Sequence, residues 1–157
     1  MHMILDGNAI DLIIYDFDGV MTDNCAIVDE FGHESVIVNR SDGLAVKLIR
    51  AKGIEQLIVS TEGNAVVGVR ADKLGIPAIQ SVDDKRGTVV RHLESNSIDP
   101  SRVIYVGNDI NDREAMGYVG WPICPADAHD QIKSISRIVL KTEGGQGVVR
   151  ELLDRLE

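Results

Sequence analysis

Asp11-Leu-Ile-Ile-Tyr-Asp-Phe-Asp-Gly-Val-Met-Thr-Asp23, residues 11–23, is the stretch whose reading decides the fold. Its apolar run, Leu12–Tyr15, is unbroken, the pattern of a strand covered on both faces as in a parallel sheet. The run stops at two carboxylates, Asp16 and Asp18, one residue apart. While the chain stays extended, those two side chains point the same way. In an open parallel sheet the ligand crevice lies beyond the carboxyl ends of the strands, so the pair stands where chemistry is done.

Further apolar, β-rich runs follow at Gln56–Val59, Ala78–Gln80, Val103–Val106, Pro122–Cys124 and Arg137–Leu140. Between them Leu44, Ala45, Leu48 and Ile49 recur at helical spacing, as do Val66, Val69, Arg70 and Lys73. Helical patterns also cover Lys85–Glu94, Asp112–Tyr118, Ala128–Ser134 and Val148–Leu156, and Gly53 and Gly75 fall where helices are expected to end. The alternation predicts an α/β fold, a doubly wound Rossmann-like parallel sheet in one domain over residues 1–157. One segment breaks it. Residues 21–40 read as two short β runs around a Gly-containing turn, a hairpin flap set beside the two carboxylates. Unpaired hairpin edges seek partners, so oligomerisation through the flap is expected.

The formal charge of −9 argues against a nucleic-acid partner, since no basic stripe is present to neutralise phosphates. A small anion needs only local positive charge. No apolar run approaches the ~20 residues of a membrane span, and no signal-peptide pattern is visible. Cys25 and Cys124 lie far apart, outside metal-ligand spacing, and read as two reduced thiols of a cytoplasmic protein. The opening Met-His-Met is set aside.

Four strand ends carry polar residues able to meet in the crevice: Asp16 and Asp18, then Ser60 and Thr61, then Lys85 opening a helix, then Gly107-Asn-Asp-Ile-Asn-Asp112. Acids so outnumber cations that a hard divalent ion is called for, and Mg²⁺ suits a site of few oxygen ligands. In order, these four segments resemble the motifs of the haloacid dehalogenase-type phosphatases, and the resemblance covers essentially the whole chain. It implies that Asp16 is a nucleophile forming an aspartyl-phosphate and that Asp18 is the general acid and base. Ser60 would hydrogen-bond the transferring phosphoryl group, and Lys85 would balance charge. Asp16, Asp18, Asn108, Asp109 and Asp112 are the candidate metal ligands. Asn108 is a departure, because the family usually has Asp there, and an uncharged ligand should bind metal less tightly.

Too little chain is present for a cap domain, which resembles the capless branch of that family. That branch includes the 3-deoxy-manno-octulosonate 8-phosphate phosphatases and the nonulosonate 9-phosphate phosphatases. Its members build a tetramer through the hairpin, which implies a homotetramer with active sites at subunit interfaces. In them a Gly-rich tail, here within 142–157 with Arg150, reaches a neighbour's site. Glu62, Arg70 and Lys73 resemble the residues that meet the sugar acid in phosphatases of 2-keto-3-deoxynononic acid 9-phosphate. A nonulosonate 9-phosphate is therefore the first substrate expectation and the octulosonate 8-phosphate the second. "GNDIND" and "PADA" also resemble the phosphatase-like domain fused to sialate cytidylyltransferases, which implies fusion to or association with such an enzyme, or an assembly role with weak catalysis.

Overall fold

All four residues of the first strand, β1 (Leu12–Tyr15), are buried, because helices cover both faces of the sheet it centres. The computed structural model describes residues 3–157; the first two residues of the opening tripeptide lie outside the described residues. The other strands are β2 (Ile27–Val28), β3 (Glu34–Ser35), β4 (Glu55–Val59), β5 (Ala78–Ile79), β6 (Val103–Val106), β7 (Trp121–Cys124) and β8 (Ile138–Val139). Helices α1 (Arg40–Ala51), α2 (Ala65–Leu74), α3 (Lys85–Asn96), α4 (Arg113–Met116), α5 (Asp130–Lys133) and α6 (Val148–Leu153) separate them. Six strands form one parallel sheet in the order β5-β4-β1-β6-β7-β8, the doubly wound arrangement expected.

Alternation along β1 sorts the core into two layers. Ile13 and Tyr15 pack with α1, α2 and α6, whereas Leu12 and Ile14 pack with α3, α4 and α5. Helix ends are set locally. Asn39 accepts from Ser41 N to start α1, Asn64 accepts from Val66 N to start α2, and Gly75 ends α2. Among the described residues no helix is long and apolar enough to cross a membrane.

The later helices are shorter than the periodicity predicts. The expected helix over 112–118 opens as a 3₁₀ turn, Ile110–Asp112, and its α-helical part ends at Met116. The last helix stops at Leu153 because the chain beyond it pairs with the other end of the domain. Leu5 N donates to Arg155 O (2.7 Å), and Glu157 N donates to Leu5 O (3.0 Å). The hairpin forms as expected, β2 and β3 pairing antiparallel apart from the main sheet. Its Ile27, Val28 and Phe31 are exposed.

Candidate active site

β1 and β6 are neighbours at the middle of the sheet, and the loops leaving them make the floor of the site. Asp16 N donates to Val106 O at 2.9 Å, so the ladder continues one residue past β1 and fixes Asp16. Its Oδ1 accepts from Phe17 N (2.8 Å) and from the Lys85 ammonium (2.9 Å). Lys85, delivered by the first turn of α3, also bonds Asp112 Oδ1 at 2.7 Å. Asp112 is fully enclosed: Oδ1 takes the Tyr105 hydroxyl (2.9 Å) and Oδ2 takes Asn108 N (3.0 Å) and Asp109 N (3.3 Å).

One ammonium thus serves two buried acids. Burial pushes Asp16 up to about 7, Asp112 adds to the rise, and Lys85 opposes it. Burial would lower the Lys85 pKa, but Asp16 and Asp112 outweigh it and hold the ammonium above its usual range.

The side chain of Asn108 lies against Asp16 and the Asp18 carbonyl. With its nitrogen turned toward them it donates to Asp16 Oδ2 and to Asp18 O, both at 3.0 Å. Turned the other way, Oδ1 occupies that point and three oxygens converge. Adjacent ligands of an octahedral ion bound at about 2.1 Å lie about 3.0 Å apart, so the two edges that run from Asn108 have the length found in a Mg²⁺ shell. A hard divalent ion fits these donors. Gly19 gives the amide its room: its φ is +82°, and a Cβ there would overlap Asn108.

Two expected ligands do not join the trio. Asp109 Oδ1 accepts from Ile110 N at 2.7 Å, capping the 3₁₀ turn, and Asp112 is saturated as described. Among the described residues no three His, Cys, Asp or Glu side chains converge as a metal site; the set is one carboxylate, one carbonyl and one amide.

Above the floor opens a cavity of about 290 Å³ lined by Asp16, Asp18, Thr61, Glu62 and Asn108, with Glu34 of the hairpin forming one wall. Asn64 Nδ2 donates to Glu34 Oε2 (2.8 Å), tying the flap to the start of α2. Half-buried Asp18 has a raised pKa, from burial first and then from Glu62, with Glu34 adding to the rise and Lys85 opposing it. Ser60 is buried at the end of β4 and accepts from Glu62 N at 3.1 Å, so it shapes the turn that carries Thr61 and Glu62.

Three expected residues lie elsewhere. Arg70 and Lys73 line a separate groove between α1 and α2 with Arg40, Lys47 and Arg50. Arg70 Nη2 there donates to Asn39 O at 3.0 Å. Arg150 pairs with Asp154 at 3.4 Å beside α6. The Gly-rich segment packs on its own chain next to the loop after β1, Gly145 N donating to Val20 O (3.1 Å). Conversely, sequence reading passed over Tyr105, hidden in a strand, and Asn111, which lines the cavity within the quoted "GNDIND". It also missed Asp42, a buried acid accepting from Arg150 N at 3.1 Å, which burial raises to about 6.

A buried carboxylate steadied by a lysine, opening on a small acidic cavity at the switch point of a parallel sheet, places the chain among α/β phosphohydrolases. Residues 39–152 match the haloacid dehalogenase-like hydrolases, and the chain belongs to that family. It is similar to the 3-deoxy-D-manno-octulosonate 8-phosphate phosphatase KdsC of Yersinia pestis, 32% identical over 146 residues, 92% of this chain and 78% of the relative. A structure assigned to the HAD family of hydrolases from Streptomyces avermitilis superposes with TM-score 0.95 at 40% identity, covering 98% and 94% of the two chains. The octulosonate 8-phosphate phosphatase of Moraxella catarrhalis, solved with magnesium, phosphate and KDO, superposes with TM-score 0.90 at 30% identity, covering 94% and 86%. The Yersinia and Moraxella relatives carry the eight-carbon name, the second of the two substrate expectations.

Proposed function

We propose that this chain is a Mg²⁺-dependent phosphatase of a keto sugar-acid phosphate, with 3-deoxy-D-manno-octulosonate 8-phosphate as the leading substrate. The observation that carries it is the trio of Asp16 Oδ2, Asp18 O and Asn108 beside a carboxylate gripped by Lys85. Relatives of that name support the eight-carbon acid. Glu62 lines the cavity, and its resemblance to a residue that meets the sugar acid in phosphatases of 2-keto-3-deoxynononic acid 9-phosphate favours a nonulosonate 9-phosphate as the second reading.

In this reading Asp16 attacks phosphorus, a new O–P bond forming as the bond to the sugar oxygen breaks. Asp18 gives that oxygen its proton, which its raised pKa helps it keep until then. Asp18 then takes a proton from the water that opens the aspartyl-phosphate, freeing inorganic phosphate. Lys85 favours the ionised form of Asp16 against the pull of burial and spreads the charge. Mg²⁺ held by Asp16, the Asp18 carbonyl and Asn108 would shield the carboxylate so that an anionic phosphate can approach. Ser60 holds the Thr61–Glu62 turn and keeps its own hydroxyl proton for the phosphoryl group.

The cavity among the described residues contains no cation apart from Lys85 beneath it, yet the substrate carries a carboxylate. Arg70 and Lys73 face another groove on the same chain, so they meet a substrate only across a subunit boundary. The exposed apolar residues of the flap support a homotetramer that forms one. The test is a panel of eight- and nine-carbon keto-acid phosphates, assayed for phosphate release with Mg²⁺ and with EDTA. Release from octulosonate 8-phosphate at the highest kcat/KM is expected; equal, slow turnover of the whole panel would overturn the sugar-acid assignment.

A further inference from the structure

An amide offers two ends of equal reach and opposite polarity, and Asn108 presents one of them to Asp16 Oδ2 and Asp18 O. Its backbone cannot retreat. His129 N donates to Asn108 O at 2.8 Å, and Asn108 N donates to Asp112 Oδ2 at 3.0 Å, so the residue is pinned on both sides. The residue is only 8% exposed, which leaves the side chain no swing out to water. Rotation of the terminal amide is the motion left, and that torsion is soft and two-fold.

We propose that Asn108 is a two-way amide in the floor of the site. With a divalent cation present, Oδ1 completes the oxygen trio. With none, the amide turns and Nδ2 donates to Asp16 Oδ2 and Asp18 O, so hydrogen bonds replace the ion and hold the same shape. A carboxyl at 108 could replace the ion only by taking up a proton, and it would then offer one donor where the amide offers two. Ionised and without a cation, it would set a further negative charge 3.0 Å from Asp16 Oδ2, next to a lysine already shared by two acids. The amide therefore gives a site that stays assembled without metal, and the same feature weakens its hold on metal, because two hydrogen bonds are given up and no formal charge is gained.

This inference rests on the divalent-cation part of the proposed function and on no particular substrate, so its test contains no sugar phosphate. The full chain and its Asn108→Asp variant are melted in EDTA and in saturating MgCl₂, and Mg²⁺ is titrated into each by calorimetry. In EDTA the variant should melt lower than wild type by about 3 °C or more. With Mg²⁺ it should gain more than wild type and bind the ion roughly tenfold more tightly. A variant as stable as wild type in EDTA, or one with no gain in Mg²⁺ affinity, overturns the proposal, as does the absence of Mg²⁺ binding by both proteins. Wild type provides a check that needs no variant to fold. With ¹⁵N-labelled asparagine, the hydrogen-bonded Asn108 side-chain signals should move on adding Mg²⁺, and signals that stay in place refute the rotation.

Discussion

Lys85 Nζ stands 2.9 Å from Asp16 Oδ1, with side chains only 2% and 8% exposed, so the contact is shut away from water. Replacing Lys85 by Met leaves Asp16 and Asp112 buried together without a cation. Removing one member of a buried pair costs about 3–5 kcal/mol. The variant should melt some ten degrees lower, at roughly 2–4 °C per kcal/mol for a domain of this size, and should release no phosphate. Scanning calorimetry checks this, and an unchanged melting temperature would mean that the lysine is not balancing both acids.

Asp16→Asn should do the reverse to stability. It removes one of the two carboxylates competing for Lys85, so the metal-free protein should melt at or above wild type. Mg²⁺-dependent phosphate release should fall roughly 10³-fold or more. Turnover near the wild-type rate in this variant would take the nucleophile's role away from Asp16.

Arg70→Ala tests the subunit boundary. Its KM for a sugar-acid phosphate should rise about tenfold or more while p-nitrophenyl phosphate, which has no carboxylate, is scarcely affected. Refolding a mixture of Arg70→Ala and Asp16→Asn chains should restore part of the activity, because some sites then combine an intact Asp16 with a neighbour's intact Arg70. A mixture no more active than its parts would confine Arg70 to its own groove.

What could be read from the chain alone follows from where the information lies. β1 and β6 were legible because a strand buried on both faces must be apolar throughout, and Asp16 and Asp18 because acids ending such a run have no structural excuse. Helical spacing put Arg70 and Lys73 on one face of α2 but could not say which groove that face borders. Asp109 and Asp112 share one loop and one chemistry; only the cap at Ile110 and the bonds from Lys85 and Tyr105 separate their tasks. The early end of α6 depends on pairing with Leu5, a contact between the two ends of the chain that no local pattern records.

Asp42 and Glu151 set opposite slopes of stability against pH. Burial raises Asp42 to about 6, so between its unfolded value near 3.8 and 6 the folded state holds a proton that the unfolded chain has released. Its contribution therefore falls as pH rises through that window. Burial also pushes Glu151 upward, but hydrogen bonds led by Arg155 outweigh it and leave the group at about 2, so its contribution is lost only as pH falls below 4.5. Asp42→Asn keeps an acceptor for Arg150 N and removes the ionisation. The melting temperature of this variant minus that of wild type should increase between pH 4.5 and 7.5. Asp16, common to both proteins, cancels in that difference, and a constant difference would show that Asp42 does not titrate in the folded state.

Gly145 holds the turn after β1 from behind. Its φ is +73°, and a Cβ there would come within 2.6 Å of Thr22 C, on the loop that runs on from Asp18. Gly32, at the tip of the flap, shares the left-handed conformation with φ +81° but has nothing within 4 Å. Alanine at Gly32 therefore meets backbone strain alone, about 1–2 kcal/mol. Alanine at Gly145 meets the same strain and must also displace residues 22 and 23. Gly145→Ala should lower the melting temperature more than Gly32→Ala. It should also reduce kcat by tenfold or more, since a shift of about 1 Å in a positioned group can cost 10²-fold. Comparing both variants by calorimetry and steady-state kinetics separates strain from displacement, and equal kcat values would show that the tail does not position the catalytic loop.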